Sequence, residues 1–293
     1  MADERRLLEV PIGEAGLRQG DGVFKHVQNM PSLVKRLAQY SELEAVAVSA
    51  RPRPLDNSYM PVFTVGIAVA ESIAAFNGIP IFYTSHQEGH IAAGLWSARF
   101  SPTGAFLAVH ISGGTSEILK VVPHTAGYSI SVLGGTADLH AGQLVDRIGV
   151  ALGMKFPCGK ELENLANTLD KEPELRLKGH VKGMNFNFSG AETQAKHHIS
   201  AGVSPPEIAF AIFRLIANSL EKALLRAIQE TGLKEILFVG GVASNYLIKE
   251  RLKSRLMHPS LGASLYFAEP RYATDNAVGT ALICRKNFLI KQE

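Results

Sequence analysis

Cysteine is nearly absent from this 293-residue sequence: Cys158 and Cys284 are its only two. That is too few for a disulfide framework and points to a reducing, cytoplasmic setting. No apolar run approaches the roughly 18 residues of a membrane span, and the start carries no signal-peptide pattern, so no membrane partner is expected. Charge of one sign is scarce too. A net charge of +3 is too small for bulk electrostatics to announce a nucleic-acid partner. Several motifs are missing as well. There is no Gly-x-Gly-x-x-Gly dinucleotide fingerprint, no P-loop, no His-Glu-x-x-His and no nucleophile elbow, so protease chemistry is not expected.

What remains is an ordinary globular composition, 46% hydrophobic and 19% charged, at a length that suits two lobes. Strand-like apolar runs alternate with helical patterns, which signals an α/β fold. Helices are expected near 30–39, 62–77, from His86 onward, 141–152, 160–170, 205–231, 246–256 and 275–285. Strands are expected at 45–48, 79–83, 105–111, 117–122, 235–239 and 265–267. The charged start running into Leu7-Leu8-Glu9-Val10 reads as a chain that begins partway into a domain.

The most informative run is His86-Gln87-Glu88-Gly89-His90. Two imidazoles four residues apart lie on one helical face, a turn apart, where both nitrogens can reach one divalent metal. Two glycine-rich turns follow strands. Ser112-Gly113-Gly114-Thr115 sits at a hairpin tip, where it either closes an ordinary tight turn or aims backbone N–H groups at phosphate oxygens. Gly240-Gly241-Val242-Ala243-Ser244-Asn245 joins a strand to a helix; it either favours an anion at the helix start or supplies a cap through Ser244 or Asn245. In Thr274-Asp275-Asn276-Ala277, Thr274 or Asp275 is placed to cap the helix that follows. Asp146 lies inside an amphipathic helix, as a solvated residue or as a partner for a ribose hydroxyl. Cys158, in the loop Phe156-Pro157-Cys158-Gly159, reads as a small tolerated residue.

Taken in order, these motifs, together with Phe186-Asn187-Phe188-Ser189-Gly190, resemble the TsaD family of tRNA threonylcarbamoyladenosine synthases, formerly called glycoproteases. The likeness runs from about residue 40 to 285. The resemblance implies an actin/sugar-kinase/Hsp70-like (ASKHA) fold, with two lobes and a nucleotide cleft between them. It divides the chain into an N-terminal lobe, 1–104, that lacks its first hairpin and carries the His pair, and a nucleotide-binding lobe, 105–293. By resemblance, His86, His90 and Asp275 hold a divalent metal, iron or zinc. Ser112, Gly113, Gly114, Thr115, Asp146, Gly159, Gly240, Gly241 and Asn245 meet an adenine nucleotide or threonylcarbamoyl-AMP. The implied reaction moves a threonylcarbamoyl group from that adduct to the adenosine beside the anticodon of tRNA, with partner subunits of the transfer complex.

The chain also departs from the family pattern. The opening Asp/Glu-Thr-Ser-Cys strand motif is missing, and the Gly-Pro-Gly loop is replaced by Arg51-Pro52-Arg53-Pro54-Leu55-Asp56-Asn57. Ser-Gly-Gly-His-Thr reads Ser112-Gly113-Gly114-Thr115-Ser116, and Asp-Asp-Ala-Ala-Gly-Glu reads Asp138-Leu139-His140-Ala141-Gly142-Gln143. These changes suit a divergent paralogue and motivate a second expectation from another class, a nucleotide-binding regulatory or assembly subunit.

Overall fold

The computed structural model describes residues 2–10, 17–39 and 42–292; Met1 and Glu293, the ends of the two expected lobes, lie outside them. After a first helix α1 (Gln19–Leu37), a parallel pair of strands, β1 (Val46–Arg51) and β2 (Ile81–Ser85), is joined through α2 (Phe63–Asn77). Gly78, in the left-handed region at φ 65°, ends α2, as the Asn77-Gly78 stop predicts. Helix α3 (His86–Ser97) leaves β2 directly.

The larger sheet holds β3 (Phe106–Ile111), β4 (Ser116–His124), β5 (Gly127–Gly135), β8 (Glu235–Val239) and β9 (Ser264–Phe267). Its order is β5-β4-β3-β8-β9: an antiparallel meander from β3 to β5, then parallel pairing of β3 with β8 and β8 with β9. All six residues of β3 are buried, because helices cover both faces. Strand alternation sends Leu107, Val109 and Ile111 into one core with Ile236 and Phe238. Phe106 and Ala108 go into a second core with Leu237, Val239, Ile91 and Leu95. His110 shares the second face.

Helices α4 (Ala141–Ala151) and α5 (Gly159–Ala166), a small hairpin β6 (His180–Lys182) and β7 (Asn185–Asn187), and α6 (Ser189–Ser200) precede the long helix α7 (Pro205–Thr231). A proline in the first turn and a left-handed Gly232 bound α7 where the sequence predicts. A 3-10 turn, Gly241–Ser244, leads into α8 (Tyr246–Leu256), and the chain closes with α9 (Pro270–Ala273) and α10 (Val278–Ile290).

Several expectations need correction. Helix α1 begins eleven residues before its predicted start and takes in Gly20 and Gly22, residues of low helix propensity. Strands β5, β6 and β7 and helix α6 were not anticipated. Asp275 opens no helix; it lies between α9 and α10. Separately, packing joins elements from the two sides of position 104. Helix α3 lies against β8, and α10 reaches back to α3, β1 and β2.

That crossing explains the glycine in the His-Gln-Glu-Gly-His run. A Cβ on Gly279 of α10 would sit 1.8 Å from the Gly89 carbonyl oxygen, and one on Gly89 would press on Thr280 Oγ1 at 3.2 Å. The two backbones touch there, which brings the loop before α10 beside the first turn of α3. No helix among the described residues is long and apolar enough to cross a membrane.

Candidate active site and metal centre

Helix α3 starts with a capping box. Ser85 Oγ accepts from the Glu88 N–H at 3.2 Å, and Glu88 Oε2 accepts from the Ser85 N–H at 2.8 Å. Glu88 is therefore occupied by the cap, and the first turn it fixes presents His86 and His90 on one face. The loop carrying Asp275 is fastened by its neighbour: Asn276 Nδ2 donates to the Tyr272 and Thr274 carbonyls at 3.0 and 2.8 Å, and its Oδ1 accepts from the Val278 N–H at 2.9 Å. Asn276, rather than Thr274 or Asp275, serves the start of α10. Arg5 Nη1 adds bonds to the Arg271 and Asp275 carbonyls.

The three expected metal ligands converge. His90 Nε2 lies 3.1 Å from His86 Nε2 and 3.1 Å from Asp275 Oδ1, and His86 Nε2 is 3.4 Å from the same oxygen. Ligands about 2.0–2.1 Å from a common ion stand about 3.3 Å apart at tetrahedral corners and about 2.9 Å apart at octahedral ones. The observed triangle fits that range, and its donor set of two imidazoles and a carboxylate suits a divalent transition metal with open positions. Hydrogen bonds from His86 and His90 hold the Asp275 carboxyl well below the usual carboxylate range, although its side chain is largely solvent-exposed. Burial lowers the His90 imidazole's affinity for a proton; the Asp275 carboxylate opposes that, and the nearby His86 adds to it. Both effects favour the deprotonated groups a metal needs.

Two cavities meet at the β3–β4 turn. One, about 860 Å³, is walled by His86, Asp275, Gln87, Arg53, the Phe63 end of α2 and residues 112–115. The other, about 580 Å³, is walled by Asp146, Gly159, Gly241, Asn245 and Thr274. Ser112 and Gly113 line both. The turn closes on itself, with the Ser112 N–H donating to the Thr115 carbonyl at 2.8 Å and the Gly114 N–H to Ser112 Oγ at 3.3 Å.

The expected nucleotide residues therefore divide. Asp146, Gly159, Gly241 and Asn245 share the smaller cavity with Ser112 and Gly113, whereas Gly114 and Thr115 line only the larger. Gly240 lines neither. At φ 93°, with the Ile111 carbonyl oxygen 2.2 Å from where a Cβ would lie, it serves the close passage of the chain over β3. Asn245 does two things: its Oδ1 caps α8 by accepting from the Ile248 N–H at 3.0 Å, and its Nδ2 has no partner among the described residues. Asp146 Oδ1 accepts from the Cys158 N–H at 2.8 Å, and burial raises its carboxyl above the ordinary range. The Cys158 thiol is pushed up to about 11, first by burial and then by Asp146 and Glu161, so it is no nucleophile.

Sequence reading missed three groups here. Glu117 is buried and takes Arg53 in an ion pair and Gln87 Nε2 at 2.9 Å. Lys160 stands on the wall of the smaller cavity. His110, its ring centroid 4.6 Å from that of His90, is fully enclosed, and burial and then His90 and His86 push its imidazole well below its usual range. The one signal for it was a lone polar residue in an otherwise apolar strand. Asp138, one of the acidic-run residues retained, ties α6 to the α4 entrance by accepting from Ser189 Oγ (2.6 Å) and the Phe188 and Ser189 N–H groups.

The chain is similar to known proteins in sequence and in fold. The chain is 30% identical over 268 residues to a tRNA N6-adenosine threonylcarbamoyltransferase of Archaeoglobus fulgidus, covering 90% of this chain and 77% of that protein. A Thermus thermophilus protein of the same description is 31% identical over 265 residues, covering 88% and 76%. Among solved structures, full-length HypF in its phosphate- and nucleotide-bound form superposes with a TM-score of 0.61 at 14% identity. The match covers 92% of this chain and 42% of HypF, so the chain spans about two fifths of that protein. A Listeria monocytogenes protein described as a candidate N-acetylmannosamine kinase matches with a TM-score of 0.50 at 14% identity, covering 91% and 87%. The fold is thus the two-lobed one of actin, sugar kinases and Hsp70. The TsaD profile, described as tRNA N6-adenosine threonylcarbamoyltransferase, matches residues 23–282, and with the site geometry it establishes that the chain belongs to the TsaD family.

Proposed function

We propose that this chain is a cytoplasmic transferase that moves a threonylcarbamoyl group from threonylcarbamoyl-AMP to the exocyclic amine of the anticodon-adjacent adenosine of tRNA. One observation carries the reading: the cavity walled by His86 and Asp275, two of the three clustered donors, and a second cavity share the Ser112–Gly113 turn. In the proposed arrangement the adenylate occupies the smaller cavity, with Asp146 facing the ribose and Asn245 Nδ2 and Lys160 as donors. The acyl end passes the turn into the larger cavity. The amine nitrogen attacks the carbamoyl carbon, the carbon–oxygen bond to phosphate breaks, AMP departs and the amine gives up a proton.

His86, His90 and Asp275 would hold a divalent metal, iron or zinc, which would supply Lewis-acid chemistry. The chain's own groups do the rest. The Gly113 N–H, which does not take part in the bonds that close the turn, would meet the charge left on AMP, and the α3 cap fixes the two imidazoles. We assign the lobes as 1–104 and 105–293, with α3 and α10 as the contact between them. Partner subunits complete the enzyme, and the exposed Phe24, Val27 and Leu37 of α1 support a surface for them.

The test combines metal-loaded protein, threonylcarbamoyl-AMP, unmodified tRNA and active partner subunits, and measures modified adenosine by mass spectrometry of digested tRNA. Multiple turnovers are expected. Absence of product under those conditions, with nucleotide binding intact, would leave a binding subunit instead.

A further inference from the structure

The chain's small excess of positive charge is not spread evenly. Over residues 176–200 the basic residues are Arg176, Lys178, Lys182 and Lys196, against a single acidic one, Glu192, which Arg147 and Lys196 already engage. The whole chain carries 30 basic and 27 acidic side chains, so this short segment accounts for all of its net charge of +3.

The hairpin β6–β7 sorts that charge onto one face. Val181 pairs with Phe186 in register, and both turn inward, Phe186 into the core beneath. The cross-strand pairs on either side, His180 with Asn187 and Lys182 with Asn185, share the opposite face and are exposed, as is Lys178 two residues earlier. Residues 178–187 include no carboxylate. Among the described residues, the ion pairs of neighbouring segments, Arg176 with Glu172 and Lys196 with Glu192, leave Lys178 and Lys182 out.

The hairpin is fastened at both ends. Gln194 of α6 holds the Lys178 backbone, donating to its carbonyl at 3.0 Å and accepting from its N–H at 2.9 Å. At the turn, Asn185 Oδ1 accepts from the Gly135 N–H at 3.2 Å, and the Met184 backbone leaves no room for a Cβ on Gly134. Gly135 ends β5 opposite Glu117 of β4, just past the Ser112–Thr115 turn at which the two cavities meet. The cationic face therefore stands at that same end of the sheet, two strand spacings away, on the order of 10 Å.

We propose that this face, centred on Lys178, His180 and Lys182, grips the phosphate backbone of the tRNA beside the reacting adenosine. This rests on the reading of the chain as a tRNA-modifying transferase and adds where the RNA is held. Lysines that neutralise phosphates release counterions, an exposed imidazole can stack on a base, and the Asn187 amide can bond sugar or phosphate. A base splayed out of its loop into a cavity leaves its flanking phosphates outside, on the side of the mouth where the hairpin stands.

Titrating the full chain into a labelled anticodon stem-loop RNA at several salt concentrations, read by fluorescence anisotropy, tests it. Lys178→Gln combined with Lys182→Gln is expected to weaken RNA binding about tenfold at 0.1 M salt. The slope of log affinity against log salt should fall in magnitude by about 1 for each lysine removed. Lys178→Arg combined with Lys182→Arg is expected to keep both affinity and slope, and AMP binding by calorimetry should be unchanged in every variant. RNA affinity and slope left intact by the glutamine pair would overturn the proposal and leave the lysines as protection of an exposed strand edge. Intact RNA affinity with loss of a partner subunit would overturn it too, in favour of an acidic protein surface, and so would equal loss of AMP binding. If the wild-type chain itself fails to bind the RNA, the transferase reading falls along with it.

Discussion

Helices α1 and α2 on one hand and α7 on the other are buried to very different extents. Helix α1 buries only Gly22, and α2 only Val65, Ala70 and Ala74, while α7 buries more than half of its 27 residues against the five-stranded sheet. The candidate metal ligands follow the firm side of that contrast. His86 and His90 ride on α3, most of whose residues are buried, and Asp275 hangs from a loop stapled by Asn276 and braced where α10 crosses α3. Helices α1 and α2 contribute a wall of the larger cavity through His26, Met30, Phe63 and Gly66. Groups that must stand within tenths of an ångström of one another sit on rigid, densely packed elements, and the loosely covered helices are free for association.

Breaking the ligand triangle should have the largest effect. His90→Ala or Asp275→Ala is expected to release the metal and lower transfer about 10³-fold, the scale of several kcal/mol of charge stabilisation. Elemental analysis and single-turnover assays check it; full activity with two ligands would sink the metal assignment. Next comes the seam between the lobes. Gly279→Ala drives a methyl into the Gly89 carbonyl, so a loss of about 1–3 kcal/mol in denaturant unfolding is expected. Transfer should fall with it, because the same contact places Asp275. The equivalent insertion at Gly20 of α1, where nothing lies within 4 Å, should cost far less.

Around α4 and α6, burial opposes ionisation of Asp138, and the bonds from Ser189, Thr136 and the Leu139 and Phe188 N–H groups outweigh it, so its carboxyl is held well below the usual carboxylate range. A depressed pKa stabilises the fold above the unfolded value and loses that contribution as pH falls below it. Asp138→Ala should cost about 1 kcal/mol at neutral pH, a figure already reduced for its exposure to solvent. The gap from wild type should narrow below about pH 4 in pH-resolved melts. A constant gap would mean the residue acts by packing. Smallest of all is Phe24→Ser on α1, 63% exposed, expected within about 0.5 kcal/mol of wild type in the isolated chain.

Much of this was legible locally. Apolar runs such as Phe106–Ile111 and Glu235–Val239, and the proline and glycine that bound α7, act through nearest neighbours, so pattern located them. Residues that form elements only by leaning on distant ones were not legible. Strand β5 is an edge strand with much of its length exposed, and α6 starts where Asp138, about fifty residues earlier, accepts from its first amides.

The sequence by itself determined the ordered motifs, the α/β alternation and the facing imidazoles of α3, since helical periodicity and glycine stereochemistry need no partner. Tertiary structure decided the rest. It placed Asp275 3.1 Å from an imidazole 185 residues away, divided the nucleotide residues between two cavities and spent Glu88 on a cap. It also enclosed a lone strand histidine, His110, against His90. Each of these follows from chain segments far apart in sequence packing at contact distance, which depends on the shape of the whole core.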